Sequence, residues 1–428
     1  MVSIHGNQAS SSNASESPQK VSLQQCLQTA LEHNSELRAA SVQFLATEGR
    51  VIKLRAILYP TLNAQAISTP LTFYVQFQQT VYSHATFPQL KLSRLSQNQA
   101  FINYSQALSD VVFQVRQAFT NTLGAMRRAK LLQEYADRQV VTLSSAQQLF
   151  DAGKIEKSVV LSIQVKGNLA TQRRDAAELE YTQAKLALDN LLGQELPKNA
   201  RLVGDFIKDT PSKLDMDELT DDALRNRPDL KLLESLQLSS EQQIEIHQKN
   251  AYPVVGISSN SALQPPAFGP TGSFDLERNY NEPSIQRQEG NTQLPVSLYT
   301  SWQIFDGGNL EGIKISDRAQ LASREVALDQ LKRSISGEIA AAVTVITSER
   351  ETLRMLDAQV SPEELRHSAE LDYEAGRVRQ LDKVNLEDGI LQQQQLHLDS
   401  EIRLNLAMAA LDHALGRGLE TPQTTSGP

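Results

Sequence analysis

The stretch Phe150-Asp151-Ala152-Gly153-Lys154-Ile155 returns 223 residues later as Tyr373-Glu374-Ala375-Gly376-Arg377-Val378. Two further matches at this offset join residues 91–93 to 314–316 and residues 192–193 to 415–416. An offset held over more than a hundred residues is not a chance match, so the sequence indicates an internal tandem duplication.

Upstream of these matches the offset is 193 residues. It relates Ala30-Leu31 to Ala223-Leu224, and Tyr59-Pro60 to Tyr252-Pro253. The second copy therefore carries a 30-residue insertion. The predicted segments are a polar, disordered N-terminus (1–20), a first repeat (21–193), an irregular linker (194–215), a second repeat (216–416) with its insertion at about 263–292, and a polar tail (417–428).

Each repeat is predicted to open with a helix and to continue into a β-hairpin. Ser22 and Gln25 have the spacing of a capping box, and Pro60 and Pro253 end the two helices. Apolar and polar residues then alternate over residues 71–78 and 294–299, which is typical of strands. The first hairpin loop is expected to be tight, at residues 68–70, whereas the second is the long insertion.

A long helix is predicted after each hairpin. In the first repeat, apolar residues keep three-four spacing from Leu108 to Leu132, which is a coiled-coil seam. A helix over residues 90–150 would span about 90 Å, and the turn at Gly153 would reverse it into a shorter helix ending near Gly193. The predicted fold is mainly α, with long antiparallel coiled-coil helices and four β-strands per chain.

Composition excludes several functions. The net charge is −9, whereas nucleic-acid binding requires an excess of Lys and Arg. Cys26 is the one cysteine, and we expect it to be a small buried apolar residue. Residues 1–20 have no apolar core of a secretion signal, and no segment has the roughly 18 apolar residues of a membrane-spanning helix.

No catalytic or metal-binding constellation stands out. Gly307-Gly308-x-x-x-Gly312 lacks the spacing of a phosphate-binding loop and favours a turn. Glu364 and His367 have the spacing of a di-iron ligand pair, but no second pair accompanies them, so we interpret them as a solvated face. The sequence predicts a protein without enzymatic activity, cofactor or metal.

Several motifs resemble those of the TolC-like outer-membrane efflux proteins. Trp302-Gln303-Ile304-Phe305-Asp306-Gly307-Gly308 is similar to the family's second-hairpin signature, and residues 30–37 look like its opening helix. Tyr59-Pro60 and Tyr252-Pro253 resemble its helix-to-strand junctions, and the two glycine stretches quoted first resemble its coiled-coil tips.

The resemblance implies a homotrimer in the outer membrane of a Gram-negative-type bacterium. Three chains would form a 12-stranded β-barrel in the lipid and an α-barrel extending into the periplasm. The trimer would be a passive conduit for efflux or type I secretion, working with a periplasmic adaptor protein and an inner-membrane pump.

The resemblance also implies roles for individual residues. The tips would dock the adaptor through Gly153, Lys154, Gly376 and Arg377, and the pore constriction would comprise Asp382, Tyr373 and Asn385. Family members often have an acid six residues after the tip glycine. Here the second repeat has Asp382, but the first has Val159.

Two questions stay open at this stage. Lys154 and Arg377 could contact a partner or could only stabilise helix C-termini, and Asp382 could line a constriction or be an ordinary N-terminal carboxylate. The alternative function is a soluble coiled-coil scaffold without transport activity, although a scaffold has no need of two hairpins at equivalent places.

Overall fold

The computed structural model describes residues 20–68, 71–197, 200–207, 214–263 and 296–417, without the side chains of residues 67, 68, 71–74 and 260–263. The chain divides into two compact units. The coiled-coil unit comprises Met1–Ser41, Tyr104–Pro228 and Leu331–Pro428, and the hairpin unit comprises Val42–Asn103 and Asp229–Gln330. Each unit therefore contains residues from both sequence repeats.

The elements of the first repeat follow the predicted order, except that the single opening helix predicted up to Tyr59-Pro60 is two helices, because the backbone is extended at Asn34. They are β1 (Lys20–Val21), α1 (Leu23–His33), α2 (Ser35–Arg55), a 3₁₀ turn (Ala56–Leu58), β2 (Thr61–Ser68), β3 (Leu71–Tyr82), α3 (Thr86–Asp151) and α4 (Lys157–Leu192). The 66-residue α3 is the long helix expected from the coiled-coil seam.

The second repeat has the same succession of helix pair, hairpin and long helices. Its elements, after β4 (Arg201–Leu202) in the linker, are α5 (Met216–Asn226), α6 (Pro228–Lys249), β5 (Val254–Leu263), β6 (Val296–Ser301), α7 (Asn309–Asp357), α8 (Pro362–Glu374) and α9 (Gln380–Ala414). The predicted mainly α fold with a small β part is confirmed.

The predicted long helix after the second hairpin is present as α7, which is shorter than α3. The helical run breaks between α7 and α8, where Ser361 caps the new helix and Pro362 occupies its first turn. Proline has no backbone N–H and its ring clashes with the preceding turn, so it cannot continue α7. The first repeat has Gln139 at the matching place, and α3 runs through it without interruption.

The ends of the helices follow their sequence signals. Ser22 accepts a hydrogen bond from the Gln25 backbone, and the Gln25 side chain accepts one from the Ser22 backbone, which confirms the predicted capping box. Gly193 ends α4 at a φ of 73°. A Cβ there would lie 2.4 Å from the carbonyl oxygen of His33, so the position requires glycine.

Four strands form one antiparallel sheet in the hairpin unit, in the order β2-β3-β5-β6. The first hairpin pairs Ser68 with Leu71, but residues 69–70 lie outside the described residues. So do residues 1–19, 264–295 and 418–428, which hold nearly all of the predicted N-terminal segment (1–20), insertion (about 263–292) and tail (417–428). In the described part of the predicted irregular linker, β4 is a regular element that pairs in parallel with β1.

The coiled-coil unit is held together by apolar clusters. One joins α1, α3 and α4 around residues such as Val115 and Leu188, and another joins α5, α7 and α9 around Ile339 and Leu404. Among the described residues, none of the helices is both long enough and apolar enough to cross a membrane.

Candidate functional site

The sheet of the hairpin unit has one apolar face. Antiparallel partners point to the same side, so Leu62 opposite Phe77, and Ile257 opposite Leu298, share a face. Leu298 leaves 72% of its surface exposed. Burying such surface is favourable, so this face is suited to an apolar environment.

The opposite face of the sheet is polar. Asn63 pairs with Gln76, and Ser258 lies between Gln78 and Ser297. Gln78 Nε2 donates a hydrogen bond to the Tyr299 hydroxyl at 3.0 Å. The sheet is therefore two-faced, as alternation along each strand dictates.

Exposed aromatic side chains surround the points where helices meet strands. The predicted junction Tyr59-Pro60 lies between the 3₁₀ turn after α2 and strand β2. The predicted junction Tyr252-Pro253 lies between α6 and β5. Both tyrosines are exposed, and so are Trp302 and Phe305, the latter at 85%. Trp302 Nε1 donates to the Ala251 carbonyl at 3.0 Å, which ties β6 to the second junction.

The Asp306-Gly307-Gly308 motif is a helix cap. Asp306 accepts hydrogen bonds from the backbone of Gly308 at 3.0 Å and of Leu310 at 2.7 Å, at the start of α7. Gly307 and Gly308 both have positive φ, 67° and 90°. The predicted turn is thereby confirmed, and this part of the hairpin signature has a local structural cause.

The two predicted tips have the same backbone structure. Gly153 N–H donates to the carbonyl of Phe150, and Lys154 N–H to that of Leu149. Gly376 and Arg377 repeat the pattern, and the two glycines have φ of 69° and 70°. This is the Schellman motif, in which a left-handed glycine ends a helix.

Asp382 lies in the first turn of α9 and pairs with Arg379. Arg379 Nε lies 2.9 Å from Asp382 Oδ2, and the side chains are 86% and 43% exposed. The hydrogen bond from Arg379 lowers the pKa of Asp382 and raises that of Arg379. Asp382 is therefore an ionised carboxylate whose charge is locally compensated.

The other two residues predicted for a constriction have partners of their own. The Tyr373 ring lies 5.0 Å from the Lys383 ammonium. Asn385 Oδ1 accepts a hydrogen bond from Lys166 Nζ at 2.6 Å. No hydrogen bond among the described residues joins Asp382 to either of them.

Sequence reasoning missed a polar cluster between α3, α4 and α9. The buried Tyr135 donates its hydroxyl to Asp388, and Lys166 Nζ donates to Asp388 at 2.6 Å as well as to Asn385. Burial, followed by the bond to Asp388, raises the pKa of Tyr135 and keeps its hydroxyl protonated. Tyr135 follows Leu132 along the apolar seam, so the spacing predicted that its ring would be packed. The spacing did not indicate that its hydroxyl would have a hydrogen-bond partner.

Val159, which matches Asp382 in the repeat, has a different environment. It packs against a small core of Ala146, Ile163 and Val384. This core joins α3, α4 and α9 near the tips, so the first-repeat position contributes packing. Among the residues that the structure describes, no group of three or more His, Cys, Asp or Glu side chains could hold a metal ion.

Comparison with solved structures identifies the class of fold. The CmeC outer membrane channel of Campylobacter jejuni aligns with a TM-score of 0.78 and 14% identity over 94% of this chain and 87% of that one. The MtrE outer membrane channel of Neisseria gonorrhoeae aligns with a TM-score of 0.74 and 17% identity over 93% of this chain and 89% of that one. The outer membrane protein VceC of Vibrio cholerae aligns with a TM-score of 0.73 and 18% identity over 92% of this chain and 96% of that one.

The fold is that of the TolC-like outer-membrane channels, and the resemblance predicted from the motifs is confirmed at this level. No protein-family model and no curated protein sequence matches the chain. At these low identities the structural likeness establishes the fold.

Proposed function

We propose that this protein is an outer-membrane channel, a passive trimeric conduit that works in a tripartite efflux or type I secretion system. The observation that carries this proposal is the two-faced sheet at the ends of long helices. Its apolar face would contact outer-membrane lipid and its polar face would line water, as in membrane barrels.

The two edges of the sheet support an assembly of several copies. Within the described residues, β2 and β6 each pair on one side only. Four strands are too few for a membrane barrel, whose minimum is about eight, but three chains would supply twelve. A ring of three copies related by rotation would leave no open edge.

The aromatic residues at the junctions support the same orientation. Tyr and Trp concentrate where a membrane meets water. Tyr59, Tyr252, Trp302 and Phe305 are exposed where helices join strands, so they would mark the periplasmic surface of the outer membrane. The helices would then extend into the periplasm.

The tips are proposed to dock a periplasmic adaptor that links the channel to an inner-membrane pump. Lys154 and Arg377 follow the tip glycines and are exposed. Arg377 also pairs with Asp372 at 3.1 Å, which leaves Lys154 as the more available cation of the two. Both partners are inferred from the fold.

We further propose that Asp382 lines a constriction, together with Tyr373 and Asn385. Three copies of Asp382 would attract cations at the axis, while each Arg379 would reduce the effect. The expected result is that Asp382→Asn lowers cation preference in planar bilayers and Arg379→Gln raises it.

The pH dependence of the cation preference tests the same role of Asp382 independently. Arg379 lowers the pKa of Asp382, so the parent channel should keep its cation preference to lower pH than Arg379→Gln does. Arg354 and Glu351 form a matched exposed pair with the same spacing, and Arg354→Gln should change neither property. If all three variants have the reversal potential of the parent, Asp382 does not face the pore.

The competing function is a soluble coiled-coil scaffold. The exposed apolar face of the sheet argues against it, because large exposed apolar patches mark interaction or membrane surfaces. A protein that stays monodisperse without detergent and produces no conductance in bilayers would establish the scaffold instead.

A further inference from the structure

Helix α2 carries two apolar stripes, and only one of them is covered. Phe44, Val51 and Leu54 face inward, together with Thr47. The second stripe is exposed and has the three-four spacing of a coiled-coil seam. We call it the α2 stripe; it consists of Val42, Leu45, Gly49 and Ile52.

The first third of α7 has a matching exposed stripe. Leu310, Asp317 and Leu321 face inward, and Asp317 accepts from His247 of α6 at 2.6 Å. The exposed positions again follow three-four spacing but are mostly small. We call them the α7 stripe; it consists of Gly312, Ile315, Ala319 and Ala322.

The two stripes belong to the two edges of the hairpin unit. Helix α2 leads into edge strand β2, and edge strand β6 leads into α7. Helices α3 and α6, which are joined to the inner strands β3 and β5, contact each other within one chain. Gln99 of α3 donates hydrogen bonds to Ser235 and Ser239 of α6. The uncovered stripes thus continue the uncovered strand edges.

We propose that the α2 stripe of one copy packs antiparallel against the α7 stripe of the next copy. This inference rests on the proposed trimeric channel and specifies its contact. The pairing is antiparallel because α2 runs toward the sheet and α7 runs away from it. The contact is head-to-tail, the kind that closes into a ring under rotation.

Side-chain size sets one register. Antiparallel seams form layers of two facing residues, and layers that combine large with small residues interdigitate. Aligning the glycine of each stripe with an isoleucine of the other gives such layers throughout. The layers are Ile52 with Gly312, Gly49 with Ile315, Leu45 with Ala319 and Val42 with Ala322.

Flanking charges select the same register. It places Arg55 opposite Glu311, and Glu48 opposite Arg318, along one side of the seam. All four residues are exposed in the single chain. A shift of one heptad would place Arg55 opposite Arg318 and Glu48 opposite Glu325, and like charges so close are unfavourable.

Disulfide trapping in the detergent-solubilised full chain tests the register. The variant Gly49→Cys with Ile315→Cys should convert to covalent dimers and trimers on oxidation, because facing layer positions meet the distance limits of a disulfide. A Cβ at Gly49 meets nothing within 4 Å in the single chain. Burial raises the pKa of Cys26 to about 11, so this thiol stays protonated and unreactive near pH 8.

The matched control is Gly49→Cys with Ala322→Cys, one heptad out of register, which should remain monomeric on a non-reducing gel. Charge reversal gives a second test. Glu48→Arg alone should reduce the trimer fraction, and combining it with Arg318→Glu should restore it.

The outcomes separate this inference from the proposed function. If the unmodified protein is a trimer by mass but the out-of-register pair cross-links in preference, the register is wrong and the channel proposal stands. If the unmodified protein is a monomer in detergent, the trimeric assembly itself fails.

Discussion

At the residue scale, Gly256 is the position in the sheet where a neighbouring side chain approaches the backbone too closely for a Cβ. It pairs with Tyr299 across β5 and β6, and a Cβ at this position would lie 2.5 Å from the tyrosine ring. The ring covers a position that has no side chain, while its hydroxyl accepts from Gln78. One glycine therefore allows a large side chain to lie on the polar face.

Gly256→Ala should destabilise the hairpins. The added methyl must displace the Tyr299 ring, and such overpacking typically costs about 1–3 kcal/mol. The expected result is a lower apparent melting temperature of the detergent-solubilised protein. Gly337→Ala is the control, because a Cβ there meets nothing within 4 Å and alanine favours a helix; a similar loss in both variants would contradict the packing argument.

Cys26 should make stability depend on alkaline pH. Burial, with a smaller effect of Asp189, raises its pKa from 9.0 to about 11. Between these values the thiol ionises only in the unfolded protein, so the free energy of unfolding should decrease by roughly 1.4 kcal/mol per pH unit. Below pH 9 both states are protonated and this effect is absent.

The comparison of parent and Cys26→Ala isolates the effect. The difference in melting temperature between them should change from pH 9 to pH 11 and be constant below pH 9. A difference that does not vary with pH would show that Cys26 is accessible in the folded protein.

At the element scale, local signals predicted the helices and strands well because each has a local cause. The Ser22 cap, the proline junctions and the left-handed tip glycines act within a few residues of their own positions. The break before Pro362 has a local cause too, since Ser361 caps the new helix and Pro362 lies in its first turn. Contacts between elements could not be predicted in this way, and the Tyr135–Asp388–Lys166 cluster is the main example.

Tyr135→Phe tests that cluster as a tie between α3 and α9. Removing the hydroxyl leaves Asp388 with one donor fewer, and a hydrogen bond to a charged group is worth about 1.5–3 kcal/mol. The apparent melting temperature should fall. Tyr181→Phe provides the control, because no hydrogen bond of its hydroxyl is found among the described residues, and an equal fall there would remove the case for the tie.

At the scale of the whole molecule, the two repeats complete each other. A two-stranded hairpin is marginal in isolation, and here the pairing of β3 with β5 joins the hairpins of both repeats into one sheet. The duplication predicted this equivalence of halves, and the alternation of residues predicted the strands. Which strands lie at the edges depends on pairing between distant segments, so it became visible only in the structure.

Membrane topology is the last prediction, and it follows from the sheet. The helices join the sheet at the starts of β2 and β5 and at the ends of β3 and β6, and the predicted insertion follows the opposite end of β5 in the sequence. Membrane barrels place their longer loops outside the cell, so a cysteine at Gly272 should react with a membrane-impermeant thiol reagent on intact cells. Lys154→Cys, at an exposed tip, should react only after the outer membrane is permeabilised. Labelling of Lys154→Cys on intact cells, with protection of Gly272→Cys, would mean that the helices extend outward and would exclude a periplasmic partner at the tips.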